Sequence, residues 1–205
     1  MSRKIKNTRT PIKRILVLCE GLTEKLYLLS IKNKLPRNLQ RGVRIEIDNY
    51  KKTDLKSLVD ETVRRKEKAA KEGVPYSEVW IVFDHDNLPH RDYAFKKSKS
   101  KGIKIAFSSI SIEIWFIIHF EDTQRRFKNG NDAKKYLSKN YITGYKPGKT
   151  KIWEFLDDNK MEKAFKNAKL LRNSKINEQK SGTQEWDLNP YTTIDKLIKI
   201  ILTRK

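Results

Sequence analysis

Short apolar runs punctuate an otherwise polar chain, and their spacing predicts strands alternating with helices. Ile15–Cys19 and Val79–Phe83 are too short for independent helices and rich in branched side chains, so each reads as a strand buried on both faces. Between them, Thr23–Lys34 sets Leu26, Leu29 and Ile31 among polar residues, an amphipathic helix stopped by Pro36. Gly21 supplies a tight turn before it. Val43, Ile45 and Ile47 alternate with Arg44, Glu46 and Asp48, the period of a half-exposed strand. Thr53 suits the N-cap of a long helix, Asp54–Glu72, with Leu55, Leu58, Val59 and Val63 at helical spacing and Gly73 and Pro75 closing it. A short basic helix over Asp92–Lys101 ends at Gly102, and Ile103–Phe107 makes a fourth strand. The order β-α-β-α-β-α-β predicts an α/β fold whose mainly parallel sheet is flanked by helices.

Beyond the fourth strand the pattern changes. Ser108, Ser109 and Ser111 lead into Ile112–Phe120, an apolar segment interrupted only by Glu113 and His119, which reads as a serine-capped buried helix. From about Glu121 strands disappear. Basic helical pieces follow at Asp132–Lys139, Ile152–Leu156 and Met161–Leu171, with a loop at Lys146–Lys149. Asn173–Asp187 is polar and reads as a mobile loop, and Pro190 stands near the start of a last helix striped by Leu197, Ile198, Ile201 and Leu202. The organisation expected is a core over 12–122 and a basic, mostly helical C-terminal extension over 123–205, packed together as one unit.

The strand ends carry the chemistry. Glu20, Asp84 and Asp86 each follow an apolar run, at the rim where open α/β sheets bind ligands. Three carboxylates share a small volume only if a cation or protons relieve their repulsion, so a divalent-metal site is expected; strand-end acids that simply face water are the plainer alternative. Glu113 has two readings. A first-turn acid can satisfy its own helix, or it can reach the strand-end acids as a ligand or base. His119 falls on another face, and His85 points away from its flanking aspartates if the chain is extended there. There is no zinc spacing, and Gly148-Lys149-Thr150 lacks the upstream glycine of a phosphate loop.

Charge narrows the partner. Lys plus Arg number 46 against 25 acids, a net of +21 over 205 residues, which attracts polyphosphate and makes nucleic acid the expected partner. Lys146 and Lys149 are the candidate phosphate contacts. A lysine-rich surface that serves solubility alone is the alternative. Cys19 is the single cysteine, which excludes an internal disulfide and fits the cytoplasm; it reads as a small buried hydrophobe. No apolar run approaches the ~20 residues of a membrane span, so no membrane association is expected.

Taken in order, these residues resemble a known family. A first strand ending Cys19-Glu20-Gly21-Leu22-Thr23-Glu24 and a middle strand ending Phe83 to Asp86 resemble a Toprim domain. The segment Ser109 to Asp122, the later Tyr145-Lys146 and the closing Asn189-Pro190-Tyr191-Thr192-Thr193 are similar to the RloB-like proteins of bacterial abortive infection, over about Ile15 to Leu202. The middle motif reads DHDN, and Ile112 stands where an aromatic is common; neither change removes a Toprim acid. The resemblance implies Glu20 as general acid/base, Asp84 and Asp86 as ligands of Mg²⁺ (or Mn²⁺), and Glu24 as an extra acid for a second metal. It implies a nuclease acting on DNA or RNA, tRNA included, with a partner ATPase of the defence system, and it leaves room for a homodimer. A non-catalytic nucleic-acid- or partner-binding module on the same scaffold is the alternative. A phosphatase using Asp84 as nucleophile is disfavoured, because its DxD motif belongs to a first strand.

Overall fold

A computed structural model describes residues 13–36, 43–50, 54–85 and 89–203. Its strands are β1 (Lys13–Cys19), β2 (Val43–Asn49), β3 (Glu78–Asp84), β4 (Lys104–Ser109) and β5 (Tyr191–Thr192). They form one sheet in the order β2-β1-β3-β4-β5, parallel except for the antiparallel β4–β5 pair. The α/β class and the mainly parallel sheet are as expected and consistent with a Toprim-like fold. Because β2 lies on one side of β1 and β3 on the other, the chain reverses direction across the sheet between β1 and β3. That crevice is where such sheets take ligands.

The apolar runs explain why β1 is central. Ile15 to Cys19 are all buried, and alternate residues feed opposite layers. Ile15, Val17 and Cys19 join one core with α1 (Leu22–Lys34) and a C-terminal group of helices. Leu16 and Leu18 join a second core with α2 (Leu55–Lys71) and α3 (Arg91–Ser100). Fully burying each such side chain is worth about 1.5–3 kcal/mol. The cap of α2 is Asp54, whose side chain accepts from the Ser57 amide at 2.8 Å; Thr53, the expected cap, lies outside the described residues.

The second half departs from expectation in four places. The serine-led helix is only α4 (Glu113–Ile117), with Ile112 at its N-cap and no side-chain cap bond. The backbone beyond it turns instead, with Phe120 and Glu121 amides both bonding Ile117 O. Ile152–Glu154 is a single 3-10 turn, while α5 (Gly130–Asn140) and α6 (Asp158–Ser174) are longer than predicted. The expected mobile loop holds the end of α6, then α7 (Ile176–Lys180) and a 3-10 turn at Glu185–Asp187. Finally, Tyr191–Thr192 is a strand, where the sequence suggested that strands had ended, and α8 begins only at Ile194. Side chains secure this short strand: Ser108 and Thr192 hydroxyls meet at 2.8 Å, and Thr193 Oγ1 accepts from the Phe107 amide at 3.0 Å. Arg172 on α6 clamps buried Asp195 on α8 through bonds of 2.6 and 2.8 Å.

Candidate metal centre at the sheet rim

Glu20 and Asp84 end adjacent parallel strands on either side of the crevice. The Glu20 amide bonds Val82 O at 2.9 Å, continuing the β1–β3 ladder to its last step. Asp84 closes β3 opposite Ser108. Two helices begin at this rim. Glu24 lies in the first turn of α1 and Glu113 in that of α4, both almost wholly buried at 4 and 1% exposure. The positive end of the thirteen-residue α1 favours an acid there.

Gly21 is needed for space. Its φ is −108°, which any residue adopts, but a Cβ there would overlap the Glu24 carboxylate. The tight turn inferred from sequence is thus an extended cap residue over which a carboxylate folds.

Glu24, Asp84 and Glu113 act on one another. Burial raises Glu24 to about 7, helped by the Glu113 charge and opposed by its own amide and Lys134. Burial also pushes Asp84 well above its usual range, with Glu24, Glu113 and then Glu20 adding repulsion, and the Ile112 amide offsetting this only in part. Glu113 is raised chiefly by burial, while the Tyr145 hydroxyl, donating to its Oε1 at 3.0 Å, works the other way. Three shielded oxygens are left without a hydrogen-bond partner: Glu24 Oε2, Asp84 Oδ1 and Glu113 Oε2. Unpartnered buried acceptors are costly, and hard carboxylate oxygens are the donors that Mg²⁺ or Mn²⁺ takes. Among the described residues no three His, Cys, Asp or Glu side chains already converge tightly enough to hold a metal ion. Asp86, the other expected ligand, lies outside the described residues.

Other residues fall elsewhere. His85 sits against Arg91, with its Nε2 3.8 Å from Asp187. His119 is buried in the core and donates through Nδ1 to Trp115 O at 2.8 Å. Cys19 is fully buried, and burial raises its thiol well above the ordinary range, as suits an inert core residue. Lys146 and Lys149 are exposed on a turn closed by the Lys149 amide on Lys146 O at 3.1 Å. The Gly148 of that turn packs on Leu22, the first residue of α1, so both lysines stand beside the acid crevice. Two contributors were given no site role by the sequence: Tyr145 entered only through the family resemblance, and Lys134 not at all. Tyr145 bonds Glu113 across 32 positions, and Lys134 on α5 offsets Glu24 and Glu113; only the fold brings them there.

A family model described as RloB-like protein matches residues 15–201. No curated protein and no solved structure gives a match. No described helix is long and apolar enough to cross a membrane.

Proposed function

The chain belongs to the RloB-like family, and on that premise we propose that it is a metal-dependent nuclease. It would hydrolyse phosphodiesters of DNA or RNA in bacterial anti-phage defence. The observation that carries this reading is the set of shielded, unpartnered carboxylate oxygens of Glu24, Asp84 and Glu113 at the crevice between β1 and β3. Asp84, with Glu24, Glu20 and Asp86, would hold Mg²⁺ or Mn²⁺. The cation, when bound, neutralises charge on a phosphodiester and acidifies water. Glu20, half-buried after β1, would exchange a proton with solvent or substrate. Glu24, raised to about 7, suits proton transfer near neutral pH better than an ordinary carboxylate does. Tyr145 holds one oxygen of Glu113, leaving the other toward the crevice. Lys146 and Lys149 would take flanking phosphates, whose contacts should weaken with salt.

The test is incubation of the purified protein with labelled DNA and RNA pools in Mg²⁺, in Mn²⁺ and in chelator. Metal-dependent cleavage of either pool supports the nuclease. The competing reading is a non-catalytic binding module. Binding without cleavage under both metals would decide for it.

A further inference from the structure

A second opening shares the rim with the acid crevice. It is a cavity of about 120 Å³ whose walls include His85, Ser109, Lys128, Asp187 and Asn189. It adjoins the acids through consecutive residues: Asp84 faces the crevice and His85 lines the cavity. Ser108 stands beside Asp84 in register, so Ser109 opens about one strand spacing, near 4.8 Å, from the acid-bearing strand.

The lining is unusual for its buried hydroxyl. Ser109 is 1% exposed, and its Oγ has no hydrogen-bond partner. A buried hydroxyl without a partner carries a desolvation cost of about 1–3 kcal/mol, which a ligand's own hydroxyl would remove. The charges speak against a phosphate as that ligand. Asp187 is held on the cavity wall by Arg91 at 3.3 Å, which leaves its carboxylate as an acceptor and neutralises much of the arginine. Lys128 is the one cation among the lining residues, and it is exposed. Among the described lining residues the one aromatic ring is the His85 imidazole, whose edge is already engaged by Arg91. The space equals about four waters at ~30 Å³ each, the scale of one sugar ring. Asn189 is already committed, exchanging bonds of 2.7 and 3.3 Å with the Phe127 backbone.

We infer that this cavity is a ribose subsite, in which Ser109 and Asp187 recognise the 2′-hydroxyl of an RNA strand led past the acid crevice. The inference rests on the nuclease reading for its geometry and adds the substrate class: RNA, since deoxyribose has no group to meet these two side chains. A hydroxyl is both donor and acceptor, so one 2′-OH can donate to Asp187 while accepting from Ser109.

The experiment measures binding in chelator, so that no cleavage intervenes, using one single-stranded 20-mer sequence made with ribose and with 2′-deoxyribose. Wild type should favour the ribose strand about tenfold, and Ser109→Ala and Asp187→Asn should each erase most of that preference while leaving DNA affinity within about twofold. Ser109 is buried, so its variant could lose the fold; exposed Asp187 supplies the independent arm, and the melting temperature of both variants is recorded. Equal affinity of wild type for the two strands overturns the inference and leaves a resident water as the partner of Ser109. So does a preference that survives both substitutions, or displacement of the strand by an equal concentration of adenosine monophosphate. Failure of the nuclease reading looks different: the ribose preference persists, and neither strand is cut when Mg²⁺ or Mn²⁺ is added.

Discussion

The acids of this protein fall into two populations with opposite electrostatic fates. On β2, α2 and the start of β3, carboxylates are paired with bases. Glu46 bonds Arg14 at 2.8 Å, Asp48 bonds Lys25 at 3.0 Å and Arg65 at 3.1 Å, and Glu78 meets Lys13 and Lys104 at 3.1 and 3.0 Å. Partial burial pushes these three upward, but their hydrogen bonds outweigh it, and all sit below the usual carboxylate range. Arg64, with Arg65, draws Glu61 down to about 2. At the crevice the shifts run upward instead, and Glu24, Asp84 and Glu113 keep shielded oxygens without partners. With 46 bases in the chain, cations are not scarce. Their distribution is what distinguishes a carboxylate paired into the fold from one left buried without a cation beside it.

Removing a crevice charge should break the contrast most sharply. If the proposed metal-dependent cleavage holds, Asp84→Asn should lower it by about a thousandfold and abolish the rise in melting temperature expected of the wild type in Mg²⁺. Without metal the same variant should melt higher, about 2–4 °C for each kcal/mol of relieved repulsion. A variant that melts lower, or still responds to Mg²⁺, would place Asp84 with the paired acids.

A buried imidazole offers a third case between the two populations. Burial, opposed in part by the bond to Trp115 O, lowers His119 to about 4 from 6.5. The unfolded chain therefore binds a proton between those values that the native state refuses. Its contribution is complete above pH 6.5 and is lost as pH falls toward 4, about 3 kcal/mol in order of magnitude. Urea midpoints of wild type and His119→Gln, compared from pH 7 to 4, isolate this term, because Glu24 titrates in both proteins. Parallel curves would show that His119 is solvated and charged.

Glu113→Gln tests whether this residue belongs to the crevice set or merely satisfies its own helix. The amide keeps its shape and can still accept from Tyr145. As a ligand or base, the change should cost about a hundredfold in cleavage with little loss of stability. As a helix-end acid, it should cost about 0.3–1 kcal/mol and leave the rate intact. Rate and melting temperature are read on one preparation, and a less stable but fully active enzyme sinks the site role.

The smallest effect is expected where an acid is already paired at the surface. Glu61→Gln should destabilise by about 1 kcal/mol or less at pH 7, since exposed pairs are screened. Its contribution is present above the ordinary carboxylate pKa and lost as pH falls through about 2. Chemical denaturation at pH 7 and at about pH 1, below the folded-state value, checks this: a penalty that persists at the lower pH would mean that Glu61 acts through packing.

What could be read in advance divides along similar lines. β1 and β3 were legible because a strand buried on both faces must be an unbroken apolar run, as Ile15–Cys19 and Val79–Phe83 are, and β2 because its half-exposed faces alternate Val43, Ile45 and Ile47 with polar residues. Strand-end position put Glu20 and Asp84 at one rim. The two-residue β5 was not legible, because Tyr191–Thr192 is too short for any periodicity and is held by side-chain bonds from Ser108 and Phe107. Nor could the sequence choose between the two readings of Glu113. That choice turns on Glu24, Tyr145 and Lys134, which converge only after α1, α4 and α5 have packed.

The short antiparallel strand also bears on the order in which the molecule is made. β4 leaves the ribosome more than eighty residues before Tyr191 and Thr192, its outer neighbours in the sheet. Until they emerge, the outward edge of β4 has no partner from its own chain and offers a template to any other exposed strand. Arg172, too, must wait for Asp195 before its clamp can close. A nascent chain halted near residue 180 would thus carry the acid crevice, β4 and its open edge together. Closure of this fold waits until Tyr191 and Thr192 have emerged, and the interval before it is when the chain is most exposed to misassembly.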